Sequence, residues 1–361
     1  MSLRISLCSV PVEGVGTKLS RSREEGSLGI VPKIAIVSLV EWMKFSGYPE
    51  ESFDFYDIDM LYPSDDDIIE YFSNYQPDVV GLSAVVSTSY SQVERIARII
   101  RDQLPNAWIV MGGNLSAVAE AVLTHTEVDI CVIGDGEISW VQLLEYFEKV
   151  KPRKIKSTEL LLIKGAAFLD EKFNIRLNGF GEKIPSEMMP YPDYDILRTG
   201  LKEYPEKLYN YFRPALGSGW FSFDDRANDP GRKPNIAGIS TSKGCVAKCT
   251  FCQRSTKGYV TQPLKKLENH LDYLIDYHDV GFIQIVDENF GSDKQHSYEI
   301  VSMIHKKNLL WFASGVRCTS VTDENIKFYK DHGCSALKFG VESGSQKILD
   351  IMEKNFKVTD V

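Results

Sequence analysis

The sequence lacks what several protein classes require. No apolar run approaches the ~20 residues of a membrane-spanning helix. Residues 30–43 come nearest and are broken by Pro32, Lys33 and Glu41. Positive charge is not in excess: Lys and Arg number 41 against 50 Asp and Glu, a net charge of −9. That balance gives no general electrostatic case for nucleic acid. Residues 1–11 hold too short an apolar stretch for a secretory signal. The seven cysteines are odd in number, and three crowd into one short stretch. This argues against a disulfide framework and for the reducing cytoplasm. Internal repeats and low-complexity runs are absent too. With 361 residues, the chain is long enough for two domains with full cores.

What is present centres on Cys245, Cys249 and Cys252, spaced Cys-x3-Cys-x2-Cys. Residues 236–240 read as a short buried strand, so the cysteines lie on the loop leaving its C-terminal end. A loop can fold three thiolates around one soft metal centre, whereas a strand points alternate side chains apart. Gly244 allows the sharp turn, and Lys248 adds positive charge that favours thiolates. Three close ligands suit a structural zinc completed by a fourth ligand from elsewhere. They also suit a four-iron, four-sulfur cluster with one iron left open. Lys248, Arg254 and Lys257 could hold a substrate phosphate or carboxylate, or simply face solvent. Cys8, Cys131, Cys318 and Cys334 fall in or beside apolar strands and read as packing residues.

The N-terminal third alternates strand and helix patterns. Strands are expected at 4–9, 52–58, 78–84, 108–111 and 128–133. Helices are expected at 32–45, 64–75, 89–104, 116–124 and 137–149, with Ser64 capping the second. Five βα units predict an α/β fold, a doubly wound parallel sheet covered on both faces. Ligands bind such sheets beyond the C-terminal strand ends. Those ends carry Ser83 after the third strand, Gly112 and Gly113 after the fourth, and Gly134, Gly136 and Glu137 after the fifth. Clustered glycines let backbone approach a large flat ligand, and turn or capping duty is the plain alternative.

The middle is less regular. Residues 160–168 read as one added strand, with 173–177 able to pair with it. Residues 184–197, with Pro185, Pro190 and Pro192, read as an extended linker. The aromatic-rich stretch 201–223 suits interdomain packing or a wall of a substrate cavity. Residues 224–233 read as a loop. The C-terminal third returns to βα units, with strands at 281–286, 311–314 and 336–341 and helices at 263–277, 292–307, 322–332 and 346–354. This is a partial (β/α) barrel, whose chemistry sits at C-terminal strand ends. Every strand end there carries a polar set: the cysteines, then Asp287 and Glu288, then Arg317, then Glu342 and Ser343. The expected domains are 1–150, a connecting segment 151–234, and 235–361.

The cysteine stretch resembles the radical S-adenosylmethionine (SAM) signature, Cys-x3-Cys-x-aromatic-Cys, with Phe251 in the aromatic slot. Residues 26–30, 77–83, 111–113 and 128–137 resemble the cobalamin-binding domain that precedes the SAM domain in many such enzymes. The resemblance implies a [4Fe-4S] cluster on Cys245, Cys249 and Cys252 and SAM chelated at the open iron. It further implies SAM contacts from Phe251, Asp287, Glu288, Arg317, Glu342 and Ser343. Cobalamin is implied over Ser83, Gly112, Gly113, Gly134, Gly136 and Glu137. The implied activity is reductive cleavage of SAM to a 5′-deoxyadenosyl radical, followed by methyl transfer or rearrangement on a small-molecule or biosynthetic-intermediate substrate. A flavodoxin, ferredoxin or reductase would supply the electron. One departure stands out. Many cobalamin domains carry Asp-x-His-x-x-Gly after the first strand, yet the first histidine here is His125, so no lower cobalt ligand is expected from that loop. Barrels of this family resemble six βα units, but only four follow residue 235. The sequence is therefore expected to be a piece of a longer enzyme. No residue stands out as a catalytic acid, base or nucleophile. Two other readings remain: a radical SAM enzyme whose first domain has no cobalamin, and a zinc-stabilised binding protein without catalysis.

Overall fold

The computed structural model describes residues 3–12, 32–150, 153–188, 194–215, 220–252 and 258–361. The chain forms two units: residues 3–12, 33–150, 153–184 and 194–208 make the first, and residues 32, 185–188, 209–215, 220–252 and 258–361 make the second.

The first unit is built on one sheet. Its strands are β1 (Ile5–Ser9), β2 (Phe53–Tyr56), β3 (Val79–Ser83), β4 (Trp108–Gly112), β5 (Ile130–Val132), β6 (Ala166–Leu169) and β7 (Ile175–Leu177), in the order β2-β1-β3-β4-β5-β6-β7. The first five are parallel, while β6 and β7 add an antiparallel edge. Alternation along the strands splits the core between two faces. On one face Cys8, Val80, Leu82, Ile109 and Met111 meet Ile68 and Phe72 of helix Asp65–Tyr75 and Val93, Ile96 and Ile100 of helix Tyr90–Gln103. The opposite face lies under helices Ile34–Phe45 and Glu137–Lys149, joined by a 3.1 Å contact from Trp140 Nε1 to Met43 Sδ. Gly81 makes that approach feasible, because a Cβ there would stand 2.9 Å from the Trp140 ring and 2.8 Å from Leu7 Cδ2. The expected cap at Ser64 is a reciprocal capping box with Asp67.

Two local expectations change. The added strand begins at Ala166, because Ser157–Leu160 forms a helical turn ahead of it. The expected linker 184–197 is not extended throughout: Asp195–Gly200 is helical, and Gly200 lies so close to the Phe55 ring that a Cβ would stand 2.2 Å away. Residues 189–193 of that linker lie outside the described residues.

The second unit carries β8 (Asn235–Ile239), β9 (Ser242–Gly244), β10 (Tyr259–Thr261), β11 (Val280–Ile285), β12 (Leu310–Val316) and β13 (Cys334–Phe339). Strands β8, β11, β12 and β13 form a parallel sheet in chain order, as a β/α barrel arc requires. Helices Leu264–His278, Lys294–Lys306, Asp323–Asp331 and Gln346–Ile351 follow. Strands β9 and β10 pair separately as an antiparallel ribbon. The end of the aromatic stretch packs in the core of this unit: Phe221 lies 4.7 Å from the Phe282 ring and 5.6 Å from Phe312, with Trp220 stacked on Phe312 at 5.2 Å, while Tyr204, Tyr209 and Phe223 are exposed.

The loop 224–233 is pinned to β13. Asp224 accepts from Arg226 Nε (2.9 Å), Arg226 Nη2 (2.7 Å) and Ser335 Oγ (2.6 Å), while Arg226 donates to the carbonyls of Lys330 and Cys334. The Arg226 guanidinium, more than any other group, holds the Asp224 carboxyl down to about 2 from an ordinary 3.8. A depressed carboxylate adds stability that is present above its unfolded value and is lost as pH falls through its folded one. Asp224→Asn should therefore lower the thermal midpoint at neutral pH. It should also flatten the loss of stability between about pH 4 and pH 2, read by circular dichroism across that range.

Candidate functional site

Strand β8 ends at Ile239, and the chain must turn sharply to start β9 at Ser242. The turn is fixed by Asp287, two residues past β11. Its Oδ1 accepts from the backbone N–H groups of Thr241 (2.6 Å) and Ser242 (3.2 Å), and its Oδ2 from their hydroxyls (2.5 and 2.6 Å). The carboxyl is 4% exposed. Burial pushes it above its ordinary value, and the hydrogen bonds pull back against that. The Thr241 carbonyl accepts from Gln262 N–H (2.9 Å) and lies 3.1 Å from His296 Nε2. Pairing of Gly244 with Tyr259 closes the base of the loop that carries Cys245, Cys249 and Cys252.

Within that loop Cys245 is half-buried, Cys249 buried and Cys252 exposed. Ala247 N–H approaches Cys245 Sγ at 3.4 Å, and Arg317 Nη1 approaches Cys249 Sγ at 3.7 Å. Among the described residues no group of three Cys, His, Asp or Glu side chains stands close enough to hold a metal ion, the three thiols included. The donor set itself fits a soft metal centre. Three thiols share one closed loop, and an N–H and a guanidinium point at two of them, as donors to thiolate sulfur do. Arg254 and Lys257 lie outside the described residues.

The structure joins some of the predicted strand-end residues and separates others. Arg317, Glu342 and Phe251 come together through a residue the sequence did not flag. Lys354 Nζ lies 3.3 Å from Glu342 Oε1 and 5.5 Å from the Phe251 ring centroid, and the Lys354 carbonyl accepts from Arg317 Nη2. Asp287 is engaged with the base of the loop. Glu288 is exposed, and its carbonyl and that of Asp287 lie against Gly315 (φ 77°), where a Cβ would stand 3.0 and 2.6 Å from them. The Ser343 hydroxyl accepts from Ser345 N–H at 3.1 Å. Thr241, Ser242, His296 and Lys354 were thus all missed as members of the site. A polar residue at a β8 or β11 end was the available signal for the first two.

In the first unit the strand order places the switch point between β1 and β3, where this fold class binds ligands. Among the described residues the ends of β3 and β4 are open: a Cβ on Gly112 would meet nothing within 4 Å, Val85, Val86 and Val118 are exposed, and the buried Ser89 Oγ has no hydrogen-bond partner. Apolar surface beside an orphaned hydroxyl fits a large flat ligand such as a corrin. Ser83 lends its carbonyl to Val10 N–H (3.0 Å). Gly113 (φ 88°) packs so tightly that a Cβ would stand 2.3 Å from the Ala84 carbonyl oxygen. The end of β5 is closed instead. Gly134 bridges Gly181, Gly136 is the N-cap of helix Glu137–Lys149, and Glu137 Oε1 accepts from Ser38 Oγ at 2.6 Å. Residues 26–30 lie outside the described residues.

Comparison with known proteins follows the same division. A model of the B12 binding domain matches residues 28–144, and a model of the Radical SAM superfamily matches residues 239–360. An uncharacterized methyltransferase of Pyrococcus horikoshii is 25% identical over 80% of this chain and 56% of that protein. An anaerobic magnesium-protoporphyrin IX monomethyl ester cyclase of Cereibacter sphaeroides is 24% identical over 92% of this chain and 50% of that one. Cytidylyl-2-hydroxyethylphosphonate methyltransferase of Streptomyces wedmorensis is 22% identical over 79% and 54%. The chain thus spans about half the length of the curated relatives it matches. The cobalamin-dependent S-adenosylmethionine radical enzyme OxsB, solved with aqua-cobalamin and S-adenosylmethionine bound, superposes with a TM-score of 0.70 at 17% identity, over 99% of this chain and 46% of that one. It shows the fold.

Two outcomes follow from the geometry. Asp287→Ala leaves four buried donors without an acceptor and should cost at least about 3 kcal/mol, measured by chemical unfolding. Gly113→Ala should destabilise by about 1–3 kcal/mol through backbone strain and the clash at Ala84, read as a lower thermal midpoint.

Proposed function

This chain belongs to the radical SAM enzymes that carry a B12-binding domain, and from that premise we propose that it houses the cofactor sites of a cobalamin-dependent radical SAM methyltransferase. Cys245, Cys249 and Cys252 would hold the [4Fe-4S] cluster. When bound, the groups supply one-electron cleavage of the C–S bond of SAM at the cluster and carriage of a methyl group at the cobalt. The residues of this chain bind, orient and shield. Asp287 fixes the direction in which the cysteine loop leaves β8. Arg317 places positive charge 3.7 Å from the Cys249 sulfur. Phe251, Glu288, Glu342 and Ser343 are the candidates for holding SAM, with Arg317 able to pair with its carboxylate. Asp287 contributes to that site from beneath, its carboxylate being taken up by Thr241 and Ser242.

Cobalamin would lie over the open ends of β3 and β4, against Ser83, Gly112 and Gly113. Gly134, Gly136 and Glu137 would support that site from the closed β5 end. The substrate is a small molecule or biosynthetic intermediate, the electron donor a flavodoxin, ferredoxin or reductase, and the compartment the cytoplasm. The observation that carries the reading is the closed cysteine loop at the end of the first strand of a barrel arc, with a guanidinium on its middle sulfur. A second reading, ring closure, is favoured by the cyclase relative, which matches 92% of this chain.

Anaerobic reconstitution with iron and sulfide tests the proposal. The chain should turn brown, retain iron and inorganic sulfide through gel filtration, and yield 5′-deoxyadenosine from SAM with dithionite. Cys249→Ala should abolish all three. A colourless, zinc-retaining protein would instead favour the non-catalytic binding protein. Added cobalamin should co-elute with the chain; if it does not, the first domain serves another purpose.

A further inference from the structure

The backbone after β13 is strained around one side chain. Helix Gln346–Ile351 stops early, and Glu353 and Asn355, flanking Lys354, take left-handed φ of 52° and 54°, as does Glu342 at 65°. Each such residue costs on the order of 1 kcal/mol or more and persists only where its surroundings demand it. The side chain at the centre is that of Lys354, which is 6% exposed. Its ammonium lies 3.3 Å from Glu342 Oε1, 5.5 Å from the Phe251 ring centroid and 5.7 Å from that of Phe356. Gly340 makes room for the pair: a Cβ there would stand 3.1 Å from Glu342 Oε1 and 3.6 Å from Lys354 Nζ.

The same turn grips the cysteine loop through its backbone. Thr250 N–H donates to the Met352 carbonyl at 3.0 Å, and Thr250 Oγ1 to that of Ile351 at 3.2 Å. The Lys354 carbonyl accepts from Arg317 Nη2, while Arg317 Nη1 lies 3.7 Å from Cys249 Sγ. Residues 249, 250 and 251 are therefore each held from this turn: one through Arg317, one by backbone hydrogen bonds, one by a cation over its ring.

We propose that Lys354 is a positioning residue for the cysteine loop: its buried ammonium anchors Phe251 and Glu342, and the turn that carries it sets Arg317 against Cys249. The consequence for an iron–sulfur centre rests on the cluster reading of the loop; the docking of the loop does not. A sulfur held against the Arg317 guanidinium binds iron more firmly, and its centre is easier to reduce.

The test compares wild type with Lys354→Met, Lys354→Arg and Gly340→Ala. The last leaves every charge in place and presses on the Glu342 carboxylate that pairs with the ammonium. In the chain before reconstitution, iodoacetamide labelling of Cys249, read by peptide mass spectrometry, should be several-fold faster in Lys354→Met, because the loosened loop uncovers a sulfur that is otherwise buried. Labelling of the exposed Cys252 should not change. Lys354→Arg should recover most of the protection, and Gly340→Ala should lie between. In the reconstituted chain, Lys354→Met should lose iron to a ferrous chelator faster and show a more negative reduction potential. Wild-type labelling and wild-type potential in both Lys354→Met and Gly340→Ala would overturn the proposal. If Lys354→Met does not fold, Gly340→Ala decides. A wild type that takes up no iron sinks the cluster reading and the predicted potential shift, while the labelling contrast still decides the docking.

Discussion

The placement of the cysteine loop depends on one buried carboxylate. Strand β8 must hand the chain from a parallel sheet to an antiparallel ribbon within Ser240 and Thr241, and a turn so short cannot satisfy its own backbone donors. Asp287 satisfies them from the neighbouring strand end, with both oxygens shared between the backbone and the hydroxyls of Thr241 and Ser242. A carboxylate this deeply buried is costly unless each lone pair is used. The same economy makes the geometry stiff. Gly315 continues the lock to the next strand, since only a residue without Cβ lets β12 lie against the carbonyls of Asp287 and Glu288. Three strand ends are thereby held in one arrangement before any cofactor is considered.

The loop is suspended from two places. Its base hangs from β11 through Asp287, and its far side rests on the turn at residues 351–354 through Thr250, Phe251 and Arg317. Sites held by regular elements on both sides keep their geometry better than sites on free loops. The two supports differ in kind. The base is neutral donors on a carboxylate, while the far side sets one guanidinium against sulfur and one ammonium over the Phe251 ring. The first fixes position, and the second also sets charge.

The alternating elements were legible because their periods are strong: all five βα units of the first sheet and all four of the second stand where the patterns place them, within a few residues. The cysteine spacing was legible as well. What was hidden depends on tertiary partners. Asp287 at a strand end looks the same in sequence whether it faces a ligand or its own chain. The helix expected to reach Lys354 stops at Ile351, and Glu353 gives no sign of left-handed backbone, which glycine and, as at Asn355, asparagine usually signal. The closing of the β5 end was equally invisible. It comes from Gly165 and Gly181, whose Cα atoms meet the backbone of other segments, in a stretch without any motif.

The strand ends of the two units are also chemically unlike. In the second unit they are crowded with carboxylates, guanidinium and ammonium already engaged with one another, a setting for a small charged ligand that exchanges partners one for one. In the first unit, among the described residues, β3 and β4 end in exposed valines, an open glycine and an unsatisfied hydroxyl, a setting for a broad ligand held by shape and burial. The end of β1, from which a metal ligand would rise in the Asp-x-His-x-x-Gly pattern, is tied up differently. Ser9 Oγ donates to Asp57 at 2.6 Å, and Lys33 pairs with Asp59. With the first histidine of the chain only at position 125, a corrin seated here would be gripped by its faces and edges. Its affinity would then follow the apolar area covered by Val85, Val86 and Val118, and would respond little to the protonation of any imidazole.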